Sequence, residues 1–297
     1  MDKGNFNSFA KRHKDKLDQT LQEWCEKLQA PRILKDSMFY SLNAGGKRIR
    51  PLLLFATLEA FNEETEKGLL AAAAIEMIHT YSLIHDDLPC MDDDDLRRGK
   101  PTNHKVFGDA VATLAGDALL TYGFQLLAEI PVHHADANQK IALIREFAKA
   151  SGAEGMVGGQ VADMEAEEKR MNLEELEYIH IHKTGKILEF SIMAGAILAK
   201  ANERQMHTLS KFAYHLGLAF QIQDDILDLE GDEEIIGKPV GSDEQNHKMT
   251  YPALLSLAGA KEALSTHINQ SLALLKETGL KTKLLEEITF LIAHRDH

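Results

Sequence analysis

Apolar residues recur every three to four positions along most of this 297-residue chain, in runs longer than an ordinary strand. The longest of these runs cover residues 66–87, 109–130, 172–201 and 203–232. No alternating run bounded by hairpin turn signals competes with them. Asn172, with Glu175 three residues later, offers a capping box that would start one of the helices. The pattern predicts an all-α fold of long helices joined by loops.

Composition excludes several classes of protein. The chain has 46 acidic and 33 basic residues, a formal charge of −13, which argues against binding nucleic acid or an anionic membrane surface. Its 2 cysteines, Cys25 and Cys90, cannot form a disulfide framework, which favours a reducing compartment. The amino terminus has no apolar secretory segment, and the best candidate for a membrane span is interrupted by Glu76 and His79. We expect a cytoplasmic protein without a membrane span.

A cluster of aspartates follows the first long apolar run. Residues 86–95 contain six of them, with Arg97 and Arg98 directly behind. Like charges this close repel each other, so the cluster is either a solvated loop or a cation site. Pro89 ends or distorts the helix that carries Asp86 and Asp87.

A second acidic cluster favours the cation interpretation. Asp224 and Asp228 lie one helical turn apart on the same face, with Asp225 beside them, in a helix whose other residues are largely apolar. Three carboxylates on a buried helix are costly unless hard cations such as Mg²⁺ neutralise them. An exposed acidic helix end remains the alternative for either cluster alone, whereas the spacing excludes an EF-hand.

The stretches "DDLPCMD" with "LRRGKP", and "QDDILD", resemble the two aspartate-rich motifs of the trans-isoprenyl diphosphate synthase family, specifically the bacterial farnesyl diphosphate synthases. The resemblance extends from "GGKRIRP" to the terminal "HRDH". It implies a single polyprenyl synthetase domain over residues 1–297, an all-α bundle around a central cavity with the motifs facing each other at its mouth, and a homodimer.

The resemblance also implies a metal-dependent reaction. It assigns about three Mg²⁺ ions to the aspartates, as Lewis acids that let the allylic diphosphate ionise without a nucleophilic side chain. The predicted metal ligands are Asp86, Asp87, Asp92, Asp224 and Asp228, and Asp225 is counted with them as catalytic. Isopentenyl diphosphate would then attack, first on dimethylallyl and next on geranyl diphosphate, giving farnesyl diphosphate.

Basic residues would complete the site. Lys47 and Arg50 follow Gly45 and Gly46, and such a pair is either surface solvation or a diphosphate site, since arginine binds two phosphate oxygens at once. The family assigns Lys47, Arg50, His79 and Arg98 to isopentenyl diphosphate and Arg97 to the allylic diphosphate. From the pattern alone, a lone histidine such as His79 is more often a satisfied core residue than a ligand.

The resemblance also assigns residues later in the chain to the allylic substrate. The family places Lys183, Thr184 and Gln221 around it, although the lysine in "IHKTGK" could instead snorkel from a packed helix. Lys238 and Lys248 match later lysines of the family, but the residues before Thr250 depart from its usual pattern. Gln160 in "GGQVADM" also matches a family position, without a role that the sequence explains.

The resemblance implies that the position five residues before Asp86, occupied here by Tyr81, sets the length of the product. A bulky residue one to two turns below the aspartates can act as a floor for the growing chain, and Ser82 is too small to do so; Tyr81 could also merely fill the core. We therefore predict the fifteen-carbon product, with a geranylgeranyl diphosphate synthase as the alternative. A terpene cyclase should lack the second motif and the second diphosphate pocket, and a silent partner subunit should have lost one motif.

Overall fold

The computed structural model describes residues 3–166, 169, 171–230 and 249–295. Lys238 and Lys248 lie outside the described residues. By its internal contacts the chain divides into two compact units, Met1–Phe55 with Glu64–Ile144 and Ala56–Glu63 with Arg145–His297. Each unit is described by itself.

The first unit is built on two long helices that pack against each other, α4 and α6. α4 is buried along most of its length because alanines and isoleucines occupy nearly every position of Ala71–Ile78. The elements of this unit are α1 (Lys3–Lys27), α2 (Arg32–Leu42), most of α3 (Ile49–Ala60), a 3₁₀ turn (Thr65–Gly68), α4 (Leu69–Asp86), β1 (Leu96–Arg97), β2 (Lys100–Pro101), α5 (Asn103–Phe107), α6 (Asp109–Glu129) and the start of α7 (Ala137–Ser151).

A two-stranded hairpin that the periodicity did not predict follows the first aspartate cluster. Arg97 pairs with Lys100 in antiparallel register, and the two turn residues both have positive φ, 55° at Arg98 and 72° at Gly99. Tight hairpin turns favour this conformation because its twist matches that of the strands. Each strand has only two residues, too few for a pattern. The hairpin holds the two arginines beside the aspartates.

Helix α6 is long and apolar enough, by length and composition alone, to cross a membrane. Core helices of proteins in water pass the same test, and 44% of the relevant window of α6 is buried inside the protein. This one helix is weak evidence for a membrane span.

The second unit is also helical in its described part, and its core lies between α11 and α12. Leu218, Ile222 and Ile226 of α11 pack in one cluster with Tyr251 and Leu264 of α12. The elements are the ends of α3 and α7, α8 (Met156–Ala166), α9 (Leu173–His180), a π-helical segment (Ile181–Gly185), α10 (Lys186–Leu198), α11 (Glu203–Glu230), α12 (Tyr251–Glu277) and α13 (Lys283–Ala293).

The prediction of an all-α fold is confirmed. Asn172 and Glu175 form the predicted capping box: the Asn172 side chain accepts from the Glu175 backbone at 3.0 Å, and the Glu175 side chain accepts from the Asn172 backbone at 2.9 Å. The run 172–201 is not one regular α-helix, however, because the π-helical segment interrupts it. Helix α12 also bends, at Ser256, where φ is 66°.

Candidate active site

The loop of the first aspartate cluster tolerates its six aspartates partly because several form ion pairs. Asp95 and Asp93 face Lys105, at 2.7 and 4.0 Å. Asp94 lies 3.2 Å from Arg97. The two pairs with Lys105 are exposed and contribute little to stability, whereas the Arg97–Asp94 pair is partly buried. All three reduce the repulsion within the loop.

Asp86 and Asp92 are brought together by the backbone of this loop. The Asp92 amide donates to the Asp86 carbonyl oxygen at 2.9 Å, so that the chain turns back on itself after Pro89. Asp86 is half-buried at the end of α4, and Asp92 is exposed. Two of the predicted metal ligands therefore lie close together where this backbone hydrogen bond closes the loop.

Asp87 differs from its neighbours because it is buried, with 3% of its surface exposed. Arg97 Nε donates to its Oδ1 at 2.6 Å, and Arg97 Nη2 lies 2.5 Å from the same oxygen. Burial raises the pKa of Asp87, and the hydrogen bond and positive charge of Arg97 offset only part of this rise. The structure thus pairs with each other two residues that the resemblance assigned to metal and to diphosphate.

The glycine turn before α3 contacts the second arginine of the hairpin. Gly45 and Gly46 have φ values of 92° and 138°, which side chains rarely adopt. The Arg98 guanidinium donates to the Gly45 carbonyl oxygen, and a Cβ on Gly46 would lie 2.9 Å from Arg98 Nη1. The glycines therefore let this turn approach a guanidinium group, while Lys47 beside them is exposed.

Arg48, which the sequence analysis passed over, anchors this segment. Its side chain is 5% exposed and donates to Asp18 Oδ1 at 3.0 Å, to Glu76 Oε2 at 2.5 Å and to the Leu42 carbonyl oxygen at 2.7 Å. Glu76 is itself buried in α4. The buried pair ties the turn before α3 to α4, and this fixes Lys47 and Arg50 on either side of it.

His79 is half-buried on α4 and lies among arginines. Burial lowers the pKa of His79 well below its usual value, and nearby positive charges add to the effect. Those charges belong to Arg50, Arg98, Arg48 and Arg97. Arg50 Nη1 is 3.4 Å from His79 Nε2. A neutral imidazole in contact with one guanidinium group and under the positive charge of others is an environment that an anion would stabilise.

Tyr81 and Ser82 are both buried on the same helix, 6% and 5% exposed. The Tyr81 ring packs edge-on against His85, with ring centroids 5.2 Å apart. Ser82 Oγ donates to the His79 carbonyl oxygen at 2.9 Å. Tyr81 is therefore a fixed, bulky side chain below the aspartates. The Ser82 hydroxyl, by contrast, hydrogen-bonds to the backbone of its own helix.

In the second unit, the π-helical segment presents Lys183 and Thr184 to a cavity of about 160 Å³. Single π turns inside α-helices occur frequently at functional sites. Gln221 of α11 lines the same cavity, so the three residues assigned to the allylic substrate lie together. Helix α11 approaches this segment closely, and a Cβ on Gly217 of α11 would make a tight contact of 3.1 Å with Gly185 Cα.

Asp224, in the second aspartate cluster, pairs with the end of the chain. Arg295 Nη2 lies 2.6 Å from Asp224 Oδ1 and also donates to the Phe220 carbonyl oxygen at 2.6 Å. Its guanidinium covers the Phe220 ring at 3.9 Å. Asp228 lies one turn further along α11 and is half-buried.

Asp225 is 5% exposed and lines the same cavity as Lys183, Thr184 and Gln221. Its Oδ2 accepts from the Tyr251 amide at 2.9 Å and lies 3.3 Å from His180 Nε2. The Tyr251 hydroxyl donates to Glu177 at 2.9 Å. These contacts make Asp225 part of the structure that starts α12, and a catalytic role for it stays a prediction.

The carboxylates of each unit, taken by itself, fit Mg²⁺ that is shared with a phosphate ligand. In the first unit Asp86 is half-buried and Asp92 is exposed, and in the second unit Asp224 is half-buried; all are hard oxygen donors. Within the described ranges, no group of three or more His, Cys, Asp or Glu side chains forms a closed metal site. Mg²⁺ is usually held by one or two carboxylates together with substrate phosphates and water. These residues suit that arrangement better than a metal held by protein alone.

Comparisons with known proteins agree with this chemistry. The sequence is 58% identical over 289 residues to the farnesyl diphosphate synthase of Geobacillus stearothermophilus, covering 97% of each chain. It is 56% identical over 290 residues to the farnesyl diphosphate synthase of Bacillus subtilis, covering 98% of each. The chloroplastic geranylgeranyl pyrophosphate synthase of Catharanthus roseus is 49% identical over 236 residues, 79% of this chain and 66% of that relative.

The fold agrees as well. A geranyltransferase from Helicobacter pylori, solved in complex with magnesium and isoprenyl diphosphate, superimposes with a TM-score of 0.83 at 33% identity, covering 96% of this chain and 95% of that one. A sequence model of the family described as polyprenyl synthetase matches residues 31–288. The chain belongs to the polyprenyl synthetase family.

Proposed function

We propose that this protein condenses isopentenyl diphosphate with dimethylallyl and then geranyl diphosphate, and that it releases farnesyl diphosphate. Two relatives named farnesyl diphosphate synthase match the chain over almost its whole length at 56–58% identity. The geranylgeranyl alternative has support at lower identity and over less of the chain.

The observation that carries the proposal is the contact between Arg50 and His79 in the first unit, with 3.4 Å between Arg50 Nη1 and His79 Nε2, together with the contact of Arg98 with the Gly45 carbonyl oxygen. A condensation needs a place for a second diphosphate, whereas a terpene cyclase acts on one. In our proposal Arg50, Arg98 and Lys47 bind the diphosphate of isopentenyl diphosphate, and neutral His79 donates a hydrogen bond to it. Guanidinium groups suit this task because they bind two phosphate oxygens in fixed geometry.

For the allylic substrate, we propose that Arg97 of the first unit and Lys183 of the second stabilise the departing diphosphate. Thr184 and Gln221 are proposed to face the carbon that becomes positive. Asp86, Asp87, Asp92, Asp224 and Asp228 are the proposed carboxylates for Mg²⁺. Bound Mg²⁺ would supply the Lewis acidity that weakens the allylic C–O bond. No nucleophilic side chain is required, because the attacking group is the double bond of isopentenyl diphosphate. Lys238 and Lys248 are proposed to bind substrate as well, as the resemblance implies. The proposal also includes a homodimer and a cytoplasmic location.

Replacing Arg50 with alanine tests the second diphosphate pocket. A charge-assisted contact contributes about 1.5–3 kcal/mol, so we expect KM for isopentenyl diphosphate to rise about ten-fold or more. KM for geranyl diphosphate should change much less. The matched control is Arg32→Ala, because the Arg32 side chain is 92% exposed and lies in the same unit. Equal losses for both substrates would place Arg50 outside the proposed pocket.

A further inference from the structure

The stretch "GGQVAD" of helix α8, residues 158–163, has no role in the proposed reaction so far. It nevertheless contacts the π-helical segment at two points. At the first, a Cβ on Gly159 would lie 2.1 Å from the backbone nitrogen of Lys183, so only glycine permits this approach. Helix α8 is therefore packed directly on the backbone of the residue that carries the lysine.

The second point is Asp163, one helical turn after Gly159 and on the same face. Its Oδ2 accepts a hydrogen bond from Lys183 Nζ at 2.6 Å. The two side chains are 25% and 29% exposed. Both residues line the cavity that also contains Thr184 and Gln221. The ion pair thus lies at the wall of the proposed allylic site.

We infer that Asp163 is a positioning residue, which holds the Lys183 ammonium group at the cavity so that it can bind the diphosphate of the allylic substrate. This inference rests on the proposed function. A lysine has a flexible four-carbon stem and loses side-chain entropy when a ligand fixes it. Because Asp163 anchors the ammonium group, part of this entropic cost is met before the ligand arrives.

Binding of inorganic pyrophosphate in the presence of Mg²⁺, measured by isothermal titration calorimetry, tests this without turnover. We expect Asp163→Ala to weaken binding about ten-fold, the size of one lost charge-assisted contact. Glu165→Ala is the matched control, since it removes the same charge from an exposed position on the same helix, and it should bind as the wild type does. Lys183→Gln should also weaken binding, and adding Asp163→Ala to it should weaken binding no further.

The double variant separates positioning from mere charge. If Asp163→Ala weakens binding equally with and without Lys183, Asp163 does not act through that lysine and the inference is overturned. Unchanged or tighter binding by Asp163→Ala alone overturns it too. If that variant does not fold, Asp163→Asn replaces it, with weaker binding expected and equal binding contradicting the inference. Asp163→Glu, which keeps the carboxylate, should recover most of the loss.

Failure of the inference and failure of the proposed function give different results. If the wild type binds pyrophosphate and Lys183→Gln weakens that binding, while Asp163→Ala does not, only the inference fails. A wild type that binds no pyrophosphate with Mg²⁺ contradicts both.

Discussion

Replacing Arg48 with methionine should destabilise the protein more than the same replacement of any exposed arginine. The change removes three hydrogen bonds and leaves the carboxylate of Glu76, a residue 3% exposed, without its guanidinium partner. Removing one partner of a buried ion pair costs about 3–5 kcal/mol, because the remaining charge stays in a poorly solvated place. We expect a loss of that size in the free energy of unfolding.

Urea unfolding followed by circular dichroism at neutral pH measures this loss. Arg32→Met is the control and should change stability by less than about 0.5 kcal/mol, since the Arg32 side chain is 92% exposed. Combining Arg48→Met with Glu76→Gln removes the unpaired charge of the Glu76 carboxylate, so the double variant should be more stable than Arg48→Met alone. A loss below about 1 kcal/mol for Arg48→Met, or no recovery in the double variant, would refute the account of this pair.

Three further predictions follow from other parts of the chain. Asp224→Asn keeps the shape of the side chain and removes a proposed metal ligand, so steady-state turnover in Mg²⁺ should fall about 100- to 1000-fold with an unchanged circular dichroism spectrum; near-normal turnover would contradict the assignment. Tyr81→Ala should shift the main product from fifteen to twenty or more carbons, measured by mass spectrometry, and should cost about 3 kcal/mol in urea unfolding for the emptied volume; an active, folded variant that still stops at fifteen carbons would place the floor elsewhere. The pKa of His13 is lowered to about 4 by burial and by the neighbouring cations Arg12 and Lys16, so the unfolded chain binds a proton that the folded one does not, and stability should fall as the pH drops from about 6.5 to about 4. His13→Gln should reduce this fall by up to about 3 kcal/mol in urea titrations across that range, and an unchanged slope would be the contrary result.

Local features of the fold could be predicted from the sequence. The capping box at Asn172 and the end of α4 just before Pro89 depend on residues close in the chain, so their patterns indicate them directly. The hairpin at Arg97–Lys100 and the π-helical segment could not be predicted, because strands of two residues and a single wider turn leave no periodicity.

The candidate site could be predicted only as a set of residue types. The aspartates and basic residues stand out by their charge, but their partners are distant in sequence: Glu76 for Arg48, Asp163 for Lys183 and Asp224 for Arg295. Nothing in the local pattern of a lone arginine or aspartate indicates such a contact. Arg48 was overlooked for this reason, although it stands between two residues that were named.

The most direct test of the central claim is the identity of the product. Purified protein is incubated with Mg²⁺, labelled isopentenyl diphosphate and dimethylallyl diphosphate, and the products are dephosphorylated and identified by mass spectrometry. We predict that farnesol is the main alcohol, that geranyl diphosphate can replace dimethylallyl diphosphate, and that no elongated product forms without isopentenyl diphosphate or Mg²⁺. Absence of condensation, or a hydrocarbon released from the allylic substrate alone, would contradict the claim that this chain is a prenyl transferase.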